Sequence, residues 1–257
     1  MERPAVLVTG GAKRIGSAIC RRFSDAGWHV IIHYGRSRAE AESLAAALPS
    51  AEIAQADLHD WQSGVAMLES LCARLPALNA LVNNASVFRH DSAHGLDPAT
   101  FDEAMQVNAG TPARMAQAFL ANANCGAQAA GRTVIHVLDQ KLENPNPDFF
   151  SYTMSKHALA STVDMLAMNA PRTADRVVGL APGAILPSHD QTAEEARQSH
   201  QLNLLRRMTA PEEVADAALF LAEGPLESGQ VLFVDSGQHL LSQPRDVIYL
   251  AREGAHV

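Results

Sequence analysis

Short apolar runs rich in β-branched residues alternate along this chain with longer stretches in which apolar positions recur every three or four residues. The first run, Ala5-Val6-Leu7-Val8, is followed by a helical segment from about Ile15 to Ala26 and then by Trp28-His29-Val30-Ile31-Ile32. Strand, helix and strand at this spacing predict a parallel pair, because parallel neighbours need a crossover between them. Further strands are predicted at Glu52 to Gln55, Ala80 to Val82, Thr133 to Leu138, Val177 to Leu180 and Val231 to Val234. Helical stretches are predicted over the Ala-rich 39–47, from near Asp97, over 151–170 and from Pro211. In the third of these, Leu159, Val163, Leu166 and Ala167 form a stripe that must face a core. Seven strands with helices on both faces make a doubly wound, Rossmann-type α/β fold. No linker, repeat or low-complexity tract divides it, so residues 1–257 are expected to form a single domain.

Composition narrows the partners. A hydrophobic content of 47% supplies a sizeable core, and a formal charge of −8 disfavours nucleic acid or an anionic membrane as the main partner. A small molecule fits better. Cys20, Cys72 and Cys125 show no paired spacing and are expected as separate buried thiols in a reducing compartment. The opening Met1-Glu2-Arg3-Pro4 has no leader pattern, and no apolar run approaches the ~18 residues of a membrane span. A soluble, cytoplasmic protein is the expectation.

Candidate chemistry collects at strand ends, where open α/β sheets bind ligands. Thr9-Gly10-Gly11-Ala12-Lys13-Arg14-Ile15-Gly16 lies between the first strand and first helix, where glycines let backbone approach a pyrophosphate at the helix N-terminus. The second strand ends in His33-Tyr34-Gly35-Arg36-Ser37 with no carboxylate between Trp28 and Arg38. Arg36 and Ser37, with Lys13, suit a 2′-phosphate, so NADP(H) is expected rather than NAD(H). Asp57-Leu58 follows the third strand and Asn83-Asn84-Ala85-Ser86 the fourth. Phe88, two residues on, offers a ring that can stack a flat heteroaromatic substrate. His90 and His94 lack a third partner for a metal, and none is expected.

The stretch Ser151-Tyr152-Thr153-Met154-Ser155-Lys156 puts a phenol and an ammonium one helical turn apart. A cation beside a tyrosine favours its phenolate, which predicts that Lys156 tunes Tyr152 toward neutral pH for proton transfer beside a nicotinamide. Asp139, thirteen residues before Tyr152 at a strand end, can relay a proton into reduction of a C=N bond.

Taken in order, Thr9 to Gly16, Asn83 to Ala85, Asn108, Tyr152 with Lys156 and Pro182-Gly183 resemble the short-chain dehydrogenase/reductases over nearly the whole chain. Within that family the chain is similar to the pteridine reductases and bacterial dihydromonapterin reductases. Lys13-Arg14 in the glycine loop, His33-Tyr34 with Arg36-Ser37, Asn84 to Phe88, Asp139 in place of a common serine, and Val234 to His239 carry that likeness. The resemblance implies catalysis by Asp139, Tyr152, Lys156 and Asn108, with Asn108 holding a relay water. It implies cofactor contacts from Gly10, Lys13, Arg14, Ile15, Gly16, His33, Tyr34, Arg36, Ser37, Asp57, Leu58, Asn83, Ala85, Ser86, Tyr152, Lys156, Pro182, Gly183 and Ile185. Arg14, Ser86, Phe88, Asp139 and Tyr152 would meet a pterin. The Pro-Gly segment lacks the family's usual threonine. A lid around 186–205 and, by analogy, a homotetramer complete the expectation. NADPH-dependent carbonyl reduction and a non-catalytic NADP-binding regulatory protein remain open as alternatives.

Overall fold

The computed structural model describes residues 3–126, 131–188 and 191–254. Its centre is one sheet of seven parallel strands in the order β3-β2-β1-β4-β5-β6-β7. The strands are β1 (Ala5–Val8), β2 (His29–Tyr34), β3 (Ala51–Gln55), β4 (Leu78–Asn83), β5 (Thr133–Val137), β6 (Arg176–Pro182) and β7 (Val231–Val234). The order reverses between β1 and β4, which opens a crevice at their carboxyl ends.

Alternation along the strands divides the core. Val6 and Val8 of β1 face one layer with Ile19, Phe23 and Val214, while Ala5 and Leu7 face the other with Leu68, Met115 and Phe119. The first layer is closed by α1 (Arg14–Asp25), α2 (Arg38–Ala47) and α8 (Pro211–Glu223). The second is closed mainly by α3 (Trp61–Arg74) and α5 (Thr111–Ala121), with the far end of α6 (Phe150–Met168) packed against it. In α6, Leu159 and Val163 are buried and Leu166 and Ala167 half-buried, as the stripe predicts.

Three strand ends run further than the apolar pattern predicts. β2 extends through His33 and Tyr34, which pair with Ala54 and Gln55 of β3, and β4 extends to Asn83, paired with His136 of β5. β6 reaches Pro182. Polar residues inside a parallel sheet break the hydrophobic signal without breaking the ladder. The helix expected from Asp97 is built in three pieces: α4 (Pro98–Ala104), a π-helical turn Met105–Gly110 containing Asn108, and α5.

Cys72 and Cys125 are joined in a disulfide, which corrects the expectation of three separate thiols; Cys20 alone is free and buried. The pairing is invisible in a separation of 53 residues, because only the packing of α3 against the end of α5 brings the Cα atoms to 4.8 Å. The expected lid carries α7 (Ala193–Ser199), which packs on the C-terminal α9 (Val247–Gly254). His189 and Asp190 within it lie outside the described residues. Among the described residues no helix is long and apolar enough to cross a membrane.

Candidate active site

The glycine loop is tight because its neighbours leave no room for side chains. A Cβ on Gly16 would run into the Gly10 carbonyl and come within 2.7 Å of the Asn84 amide nitrogen. Gly10 has φ +61° and its Cβ would lie 3.1 Å from Ala85 Cα. Thr9 braces this approach, its hydroxyl accepting the backbone N–H groups of Asn84 (2.9 Å) and Ala85 (3.0 Å). The Asn84 side chain donates to the Thr9 carbonyl at 2.9 Å. Lys13, the residue before α1, makes no side-chain cap, so its N-terminal amides remain open toward an anion.

Several residues expected to touch cofactor turn inward instead. His33 is 2% exposed; its Nδ1 accepts the Gly10 N–H at 3.0 Å and its Nε2 lies 3.2 Å from the Ala56 carbonyl. Burial lowers its pKa to about 4, so the ring is neutral, as an acceptor of that bond must be. Tyr34 and Leu58 pack into the two core layers. Asn83 donates to the Pro112 carbonyl and contacts His136 at 3.2 Å, the neighbour that strand register gives it. These four position the loops rather than present side chains.

At the end of β2, Arg36 is exposed and makes no hydrogen bond or ion pair among the described residues, and the Ser37 hydroxyl caps nothing. Lys13 is paired at 2.5 Å with Glu40 of α2, a carboxylate the sequence places beyond the strand end. Both partners are half exposed, where such pairs contribute little and yield to a competing phosphate. Asp57 is exposed and accepts from the backbone and ring of His59. Arg14, at φ 55°, donates to the carbonyls of Leu186 and Pro187, tying the glycine loop to the segment after β6.

The groups expected to react lie just after β5 and on α6. Asp139 follows β5 and its Oδ1 accepts the Lys141 N–H at 2.9 Å, a turn cap that fixes the carboxylate. Its Oδ2 accepts the Tyr152 hydroxyl at 2.8 Å. Lys156, 3% exposed, donates to the Val137 carbonyl at 2.8 Å and lies 5.6 Å from the Tyr152 ring centroid. Burial pushes the Asp139 carboxyl up, against the pull of the Lys141 cation. Burial also lowers Lys156 to about 8.

The tyrosine departs from expectation. Burial first, and then the Asp139 carboxylate, raise Tyr152 well above the ordinary phenol value rather than lowering it. The carboxylate that accepts its proton outweighs the lysine beyond the ring. Asn108 is spent on structure: its Oδ1 accepts the Val87 N–H (2.8 Å), and its amide donates to the Val87 carbonyl (2.9 Å) and Ser155 hydroxyl (3.0 Å). It thereby locks the segment after β4, which carries Phe88, to the helix carrying Tyr152.

A cavity of about 340 Å³ opens onto Asp139 and Tyr152 and is lined also by Arg14, Ile15, Phe88, Gly183 and Ile185. Ser86, expected to meet the substrate, is exposed and is not part of that lining. Phe88 stands edge-on to Tyr152 at 4.7 Å and stacks on Phe149 at 4.0 Å between centroids. Phe149, at φ 53° immediately before α6, went unnoticed in the sequence; two adjacent phenylalanines before a tyrosine were its only local signal. Also unforeseen is a buried ion pair in the cavity wall, Lys141 Nζ to Asp246 Oδ2 at 2.6 Å. It joins the turn that holds Asp139 to the C-terminal segment. Nearby, Arg245 bonds the buried Asp148 at 2.7 Å. Among the described residues no cluster could hold a metal ion.

A family model described as enoyl-(acyl carrier protein) reductase matches residues 10–239. The chain is 31% identical to ketoacyl reductase 2 of the granaticin polyketide synthase of Streptomyces violaceoruber, over 93% of this chain and 98% of that one. It is 29% identical to pteridine reductase 1 of Leishmania tarentolae, over 92% and 96%. The structure superposes with a TM-score of 0.85 on FolM alternative dihydrofolate reductase 1 from Brucella suis in complex with NADP, at 33% identity over 94% and 97% of the two chains.

Proposed function

The chain belongs to the short-chain dehydrogenase/reductase family, and from that premise we propose that it is an NADPH-dependent reductase of pterins or dihydropteridines, acting on a C=N bond. The observation that carries this reading is the Tyr152 hydroxyl held 2.8 Å from a part-buried carboxylate, Asp139, where most of the family has a serine. The likeness to pteridine reductase 1 and to an NADP-bound alternative dihydrofolate reductase supports it.

The residues present fit the cofactor. Gly10 and Gly16 let the loop close tightly on itself and on Asn84 and Ala85, the amides at the start of α1 carry no side-chain cap, and Arg36 and Ser37 keep free donors for a 2′-phosphate. When bound, the reduced cofactor supplies a hydride. The chain's own task is the proton. Asp139 and Tyr152 share one hydrogen bond and titrate as a pair, so one proton is kept at this spot at neutral pH. Tyr152 gives it to the substrate nitrogen, and Asp139, whose proton affinity is raised by burial, takes a proton from solvent and passes it to the tyrosine oxygen to restore the hydroxyl. Lys156 lies close enough to stabilise the phenolate formed on the way. Phe88 offers part of its ring to a flat substrate, since it lines the cavity and is 40% exposed.

The test is oxidation of NADPH followed by absorbance, with dihydrobiopterin and a simple diketone side by side. Turnover of the pterin is expected. Reduction of the diketone without any dihydropterin turnover leaves carbonyl reduction as the function, the reading that the ketoacyl reductase likeness favours.

A single domain, a lid at 186–205, a homo-oligomer and a cytoplasmic location belong to the same proposal. The exposed Met154, Met165 and Met168 along α6 support assembly. Alkylation of protein taken directly from cells tests the location: a reduced Cys72–Cys125 pair is expected in the cytoplasm, and a joined pair overturns it.

A further inference from the structure

One group lining the cavity has no work to do in the chemistry above. His200 follows α7, and its side chain is buried, the whole residue being 3% exposed. Among the described residues no hydrogen bond reaches either ring nitrogen, and Nδ1 is fully enclosed without a partner. Its neighbours on that wall are occupied. Gln191 accepts the Ser188 N–H at 3.0 Å and donates to the Ser199 hydroxyl at 3.1 Å; the Gln238 oxygen accepts the Ala184 N–H at 2.9 Å. Lys141 and Asp246 neutralise each other.

The backbone around His200 is held firmly. α7 starts in a capping box of Thr192 and Glu195, and Glu195 also takes Arg252 of α9 at 3.1 Å. The His200 N–H donates to Ala196 and its carbonyl accepts the Asn203 amide at 2.7 Å. Buried polar atoms are almost always paired, and leaving one unpaired costs about 1–3 kcal/mol. Nδ1 is closed off from the cavity, so the ring nitrogen left to a ligand is Nε2, unbonded among the described residues and not among the enclosed atoms. Burial also depresses the ring's pKa, so Nε2 offers an N–H or a lone pair, which complements a neutral polar heterocycle better than an anion.

We propose that His200 is a specificity-determining residue that hydrogen-bonds the dihydropteridine bound in this cavity. The inference rests on the reading given under the proposed function. Steady-state kinetics at saturating NADPH test it, comparing wild type, His200→Leu and His200→Asn on dihydrobiopterin and on a dihydropterin bearing only a methyl group. His200→Leu is expected to raise KM for dihydropterin about 10-fold or more while changing kcat little and KM for NADPH not at all. His200→Asn, which restores a donor and an acceptor, should recover part of that loss. A rise with both substrates locates the contact at the ring system, and a rise with dihydrobiopterin alone locates it at the hydroxylated side chain. Unchanged KM in a folded His200→Leu overturns the proposal, as does an equal loss in KM for NADPH and kcat in both variants, which marks a structural filler. Wild-type enzyme that turns over neither dihydropterin overturns the functional reading itself, so the two failures are told apart.

Discussion

In the proposed mechanism Tyr152 acts through one oxygen, so its deletion is the sharpest test at the scale of a residue. Tyr152→Phe keeps the packing of the ring and removes the hydrogen bond to Asp139. Turnover is expected to fall by about 10²- to 10⁴-fold, the usual worth of a positioned acid, with NADPH affinity by fluorescence titration nearly unchanged. Retention of most of the rate would assign the proton to another group. His33 makes a different prediction, because its ring must stay neutral to accept the Gly10 N–H. The unfolded chain binds a proton there below about 6.5, while the folded chain resists it until about 4. Stability contributed by the neutral ring is therefore full above pH 6.5 and is lost as pH falls toward 4, by roughly 3 kcal/mol. Urea titrations across that range should show the loss, and His33→Gln should flatten it in part, since buried His136 titrates in the same direction.

Between elements, the Lys141–Asp246 pair fastens the turn after β5 to the segment leading into α9. Asp246 accepts the Ile248 N–H as well, so one carboxylate both caps the start of that helix and neutralises a buried ammonium. Asp246→Asn leaves the ammonium unpaired and should cost about 3–5 kcal/mol in urea unfolding, whereas Lys141→Met with Asp246→Leu should recover most of it. Recovery in the double variant separates the cost of an unpaired charge from the value of the pair. The proposed site of cofactor choice is the end of β2 and the start of α2. Arg36→Ala should weaken NADPH by about 10- to 150-fold, as expected for a charge-assisted contact of roughly 1.5–3 kcal/mol, and leave NADH almost untouched in parallel titrations. Equal weakening of both would make Arg36 structural. Lys13 should matter less, since Glu40 already shares its charge.

For the molecule as a whole, the outer face of α6 leaves Met165 and Met168 at 55% and 81% exposure, on the helix that carries Tyr152 and Lys156. Light scattering is expected to report a homo-oligomer, and a charged pair at these positions, Met165→Glu with Met168→Glu, should dissociate it. A monomeric wild type would overturn the proposed assembly.

The alternation of strands and helices, the glycine loop, and the spacing of Asp139, Tyr152 and Lys156 were legible in the chain because each depends on local periodicity or on neighbours within one element. Which side chains turn inward was not. His33, Tyr34 and Asn83 read as strand-end residues facing a cofactor until the pairing of β2 with β3 and β4 with β5 buried them. The direction of the Tyr152 shift depended on a carboxylate brought by another element, since desolvation and a facing charge are properties of a place in the fold. Phe149 beneath Phe88, the Cys72–Cys125 bond, Asp246 beside Lys141 and the unpartnered His200 all join residues far apart in the chain. Sequence determined the elements and the reacting groups on them; tertiary packing decided their charges, their partners and the walls of the cavity, because those are set by distance in space, to which separation along the chain is no guide.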